Sequence, residues 1–121
     1  MHMKNFSPIL VAILFCALSA CNGKTEASIS STSQNGKVLV TISGKRSAAL
    51  DPFKTEIVVK AYDFQEGKLQ FEIMAGDLNQ ENVKFKWMDD NHCIIVIEET
   101  DKQVRSFQLI ASQNQVQLAE I

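Results

Sequence analysis

The chain has 121 residues, carries a formal charge of −2 at neutral pH, and is 45% hydrophobic and 21% charged. A chain of this length holds one modest core, and a mildly acidic balance argues against nucleic acid as a partner.

The first 20 residues read as a secretory signal. Lys4 supplies a basic start, and Met3-Lys4-Asn5 makes as good a beginning as Met1. The apolar run from Pro8 to Leu18 would span about 16 Å as a helix. A bilayer's hydrocarbon core is about 30 Å thick, so the run suits a signal's apolar centre better than a transmembrane anchor.

That run closes on Leu18-Ser19-Ala20-Cys21. The four residues resemble the lipobox of bacterial lipoproteins, a resemblance confined to the first two dozen residues. In that family the cysteine thiol receives a diacylglyceryl group, the preceding peptide is cut, and the new amino terminus is acylated. The resemblance implies that residues 1–20 are lost, that Cys21 is lipidated, and that the membrane is one partner of the chain. Two or more acyl chains anchor stably where one binds only marginally. Asn22 rather than Asp follows the cysteine, which by the common sorting rule implies the outer membrane rather than the inner one.

Residues 22–36 are rich in Ser, Thr, Asn and Gly, with a single aliphatic branch point at Ile29. Such a composition offers too little apolar surface to offset the entropy of ordering. With Cys21 it is expected to form a lipidated, flexible linker over 21–36, with an end-to-end distance of roughly 20 Å. A globular domain is then expected over 37–121. Loss of Cys16 with the signal and lipidation of Cys21 would leave Cys93 alone, so no disulfide within the domain is expected and the core must hold it.

The domain's hydrophobic period is two, which predicts strands. Val38, Val40 and Ile42 form one set, and Phe53, Thr55, Ile57, Val59 and Ala61 another. Leu69, Phe71 and Ile73, then Val83, Phe85 and Trp87, alternate with polar neighbours as half-buried antiparallel strands do. Residues 93–97 are apolar at every position, the pattern of a central strand covered on both faces. Phe107, Leu109 and Ala111 predict an inner set, and Val116 and Leu118 a short last strand. Turn chemistry separates these runs: a hairpin at Glu66-Gly67, another at 89–91, and turns at 100–102 and 113–114. Residues 76–82 form a longer connection, and 45–50 a loop or a single helical turn. The expectation is an all-β fold, an antiparallel meander of about seven strands closed into a sandwich or small open barrel.

Chemistry-bearing motifs are sparse. His92 and Cys93 are adjacent, so on a strand they point to opposite faces and cannot jointly grip an ion. Asp89 and Asp90 should lie at one end of a strand and Glu98, Glu99 and Asp101 at the other. No phosphate-binding glycine loop, nucleophile elbow or histidine-based triad can be drawn. We therefore expect no enzyme, no catalytic residue, no cofactor and no metal site. Two surfaces stand out. Tyr62, Phe64, Met88 and Ile94 fall on the parity opposite to the inner sets and would make an apolar docking patch if they group. Asp77 and Glu81 lie in the 76–82 connection, which would be the inhibitory loop of an inhibitor. The leading expectation is a lipid-anchored, non-enzymatic envelope module that binds another envelope protein. The alternative is a periplasmic inhibitor or immunity protein that neutralises an enzyme or toxin.

Overall fold

The two-residue period becomes eight antiparallel strands in the computed structural model, which describes residues 24–62 and 65–121. Strands β1 (Glu26–Thr32), β2 (Val38–Lys45), β3 (Phe53–Ala61) and β4 (Gln65–Ile73) form one sheet in that order. Strands β5 (Val83–Asp89), β6 (His92–Glu98), β7 (Val104–Ala111) and β8 (Val116–Glu120) form the second. Each sheet is a meander of consecutive strands, and the chain passes between them once, at residues 74–82. The two sheets stack as a sandwich, not a closed barrel, because no strand of one is hydrogen-bonded to a strand of the other.

The inner faces follow the alternation of the sequence. Val38, Val40, Ile42, Phe53, Ile57 and Val59 point in from the first sheet and are fully buried. Cys93, Ile95, Ile97, Phe107 and Leu109 meet them from the second. Each such side chain contributes about 1.5–3 kcal/mol by leaving water. At the end where β4 leaves the first sheet, Arg105 spans the layers. It donates to the Glu72 carbonyl and pairs with Glu120 at 2.8 Å, with its guanidinium over Phe71.

Three expectations need correction. The stretch 22–36 is not a tether throughout: residues 26–32 are strand β1, paired along its length with β2. Ala27, Ile29 and Ser31 turn half-buried towards the core, and the cross-strand hydrogen bonds offset the cost of ordering a polar sequence. This strand makes the total eight.

Glu66-Gly67 is not a hairpin turn. Both residues lie inside β4, with Gly67 opposite Val59. A β-carbon on Gly67 would come within 2.7 Å of Val116 Cγ1, so the glycine is there to let β8 approach. Of the two alternatives for 45–50 the loop is the one found, with a turn over 47–51 closed by Asp51 N–H donating to the Ala48 carbonyl at 3.0 Å. Strand β6 is covered on one face only: Cys93, Ile95 and Ile97 are buried, while Ile94 and Val96 face outwards and are half-buried.

Candidate functional site

The outward face of the second sheet is built by the residues that alternate with the core. On β6 these are His92, Ile94, Val96 and Glu98. The register places Lys86 and Gln108 on either side of Ile94, and Lys84 and Ser106 on either side of Val96. Ile110 stands opposite His92, and Gln108 Nε2 lies 3.0 Å from His92 Nε2. Met88 sits where the β5–β6 register shifts and is 65% exposed. The result is an apolar stripe of Met88, Ile94, Val96 and Ile110, rimmed by lysine and glutamine. The first sheet's outer face differs: Lys54, Glu56, Lys60, Glu66, Lys68, Gln70 and Glu72 make most of it charged or polar.

The four residues expected to group do so only in part. Met88 and Ile94 share this face. Tyr62 does not: it has φ of +46°, its ring packs against the core, and its hydroxyl donates to Asn91 Oδ1. The left-handed backbone breaks the strand alternation on which the grouping relied. Phe64 lies outside the described residues, as does Cys21. Val96 and Ile110 belong to the stripe and escaped the sequence reading. The parity that puts Ile95 and Leu109 inside was the signal for them.

The 76–82 connection is braced rather than held out as a finger. Leu78 is buried against Gly44. The Asp77 carboxylate accepts from Leu78 N–H at 2.8 Å and Asn79 Nδ2 at 3.0 Å, and pairs with Lys24 Nζ at 3.0 Å. Partial burial alone would raise its pKa, but these three donors together hold it below the ordinary carboxylate range. Asn82 closes the loop by donating to the Asp77 carbonyl at 2.8 Å. Glu81 is exposed, its backbone N–H donating to Asn79 Oδ1.

The remaining candidate groups act in turns and core. Asp89 accepts from Asn91 N–H, Asp90 from Asn35 N–H, Glu99 from Met74 N–H and Asp101 from Gln103 N–H. The first pair lies at one end of β6 and the second at the other. Cys93 is buried, and burial pushes its thiol up to about 11. His92 turns to the opposite face. Among the described residues, no three His, Cys, Asp or Glu side chains converge in a way that could hold a metal ion. A shallow hollow lies on the first sheet, bordered by Gly44, Lys54, Thr55 and Phe71.

No protein-family model, curated protein or solved structure matches this chain.

One side chain of consequence lay hidden in the sequence. Arg46 is buried, and none of the ion pairs among the described residues includes it. Its guanidinium donates to the carbonyls of Lys24 at 2.6 Å, Ala75 at 2.8 Å and Gly76 at 3.0 Å, and stacks 4.0 Å from the Phe53 ring centre. It therefore fastens the start of the described chain to the segment that leaves β4.

Proposed function

We propose that this chain is a lipid-anchored protein of the bacterial envelope whose sandwich binds another envelope protein and performs no catalysis of its own. The anchoring rests on Leu18-Ser19-Ala20-Cys21, and the outer membrane as destination on Asn22. The observation that carries the binding role is the stripe of Met88, Ile94, Val96 and Ile110, which no described element covers. An apolar centre within a polar rim is the make-up of an interface patch. With Lys84 and Lys86 along one side, the complementary surface is an apolar protein patch bordered by carboxylates.

The test is photo-cross-linking in living cells. A benzophenone side chain is placed at position 94 or 110, and for comparison at position 60 or 70 on the other sheet. A discrete adduct from 94 and 110 only, weakened by Cys21→Ser and abolished by Lys84→Glu with Lys86→Glu, is the expected result. Adducts of equal yield from both faces, or none from either, would overturn the proposal.

A further inference from the structure

The strands run between two ends of the sandwich. One end holds the start of β1, residues 46–52, 74–82 and 99–103, and Ile121. The other holds residues 33–37, the Tyr62 end of β3, Asp90-Asn91 and residues 112–115. We propose that the first end rests on the bilayer, with Leu50 and the other exposed apolar side chains of that end in the interfacial layer of headgroups without net charge. The inference rests on the reading of Cys21 as lipidated.

Reach selects this end. Lys24, the first described residue, is held to the body of the domain. Its carbonyl accepts from Arg46 Nε at 2.6 Å and its ammonium pairs with Asp77 at 3.0 Å, while the Thr25 carbonyl accepts from Arg46 N–H at 2.9 Å. Three Cα steps separate Cys21 from Lys24, which span at most about 11 Å. A nine-residue strand such as β3 is about 30 Å long, so the far end is beyond the reach of that leash. The leash therefore holds the end that carries Lys24 close to the lipid.

Exposed apolar side chains mark the same end independently. Seven large hydrophobic side chains stand exposed among the described residues, and four of them, Leu50, Met74, Val104 and Ile121, are at this end. Leu50 is 88% exposed. It follows Ala48 and Ala49 in a turn that offers no polar side chain from 48 to 50. Apolar side chains projecting from such turns insert among headgroups and acyl-chain ends.

Charge decides the kind of lipid surface. Lys45 is paired with Glu26 and Lys102 with Glu98, and Asp51, Glu81, Glu99 and Asp101 lie at the same end. Among the described residues, this end carries no basic excess to draw anionic headgroups. The contact is therefore apolar and insensitive to salt.

The experiment uses the full-length precursor, expressed in bacteria, purified from the envelope and placed in phosphatidylcholine vesicles. The mass of the peptide that begins at Cys21 reports acylation. An environment-sensitive fluorophore is attached through Leu50→Cys, Gln34→Cys or Gln113→Cys; the buried thiol of Cys93 stays unlabelled. The expected result is a blue-shifted emission at 50, quenched severalfold more by spin-labelled lipid than at 34 or 113, at low and high salt alike. Acylated protein with position 50 as water-exposed as position 34 would overturn the orientation alone. Loss of the signal in high salt would overturn the uncharged-surface assignment. Absence of acylation at Cys21 would overturn the anchor, and this inference with it.

Discussion

The indole N–H of Trp87 donates to the Ser31 hydroxyl at 2.9 Å, joining β5 to β1, the first strands of the two sheets. This bond and the half-buried Ile29 make residues 26–32 part of the domain. Ile29→Ser should destabilise by about 1.5–2 kcal/mol, the value of a partly buried aliphatic side chain. Ser31→Ala should cost about 1 kcal/mol and change the Trp87 emission, because the indole loses its partner. Urea unfolding followed by tryptophan fluorescence measures both. Unchanged midpoints would mean that the segment is a loose tether after all.

Arg46 should tolerate no replacement. Arg46→Ala leaves the carbonyls of Lys24, Ala75 and Gly76 without their donor and removes the stack on Phe53, an expected loss of about 3 kcal/mol. Arg46→Lys should recover little, because an ammonium cannot reproduce the planar fork. The checking measurement is the shift in denaturation midpoint of both variants. Full recovery by lysine would show that charge alone matters.

Gly67 and Val116 should behave as a coupled pair. Gly67→Ala forces a β-carbon to within 2.7 Å of Val116 Cγ1 and is expected to cost about 1–3 kcal/mol. Val116→Ala in the same chain should restore part of it, giving a coupling of about 1 kcal/mol in a double-mutant cycle. Additive losses would place the strain elsewhere.

The Cys93 thiol gives the fold an alkaline limit. Its pKa rises from 9.0 to about 11 on folding because burial disfavours the thiolate. Below pH 9 both states hold the proton and this group makes stability independent of pH. Between 9 and 11 the unfolded chain releases the proton and the folded chain keeps it, so stability falls as pH rises, by roughly 2–3 kcal/mol in all. Cys93→Ala should lose that slope, on top of a constant cost for the cavity. In the native state the thiol should react with iodoacetamide only through unfolding, at rates that rise with denaturant.

The inner faces were readable because alternation survives in a single sequence. Every residue assigned inwards on Val38–Ile42, Phe53–Ala61 and Phe107–Ala111 does point inwards. Strand β1 was not readable from composition, since its three inward positions hold Ala27, Ile29 and Ser31, and only one is a strong hydrophobe. Its Trp87 contact and its pairing with β2 are tertiary facts. Gly67 misled for a related reason: a glycine next to Glu66 reads as a turn, whereas here it clears space for a strand 49 residues later. At the candidate site, parity brought Met88 and Ile94 to one face and failed at Tyr62, where the backbone leaves the extended region. The buried Arg46 gave no signal, because its partners are carbonyls that any residue could supply.

The single crossing between the sheets has a consequence for how the molecule could be divided. Residues 24–73 hold every hydrogen-bonded partner of the first sheet and residues 83–121 every partner of the second. A backbone cut at exposed Gln80 would sever no ladder. It would leave two complete four-stranded halves, each with one greasy side that only the other can shield. Separately expressed, such halves should find each other and restore the whole, which makes this sandwich a natural split protein.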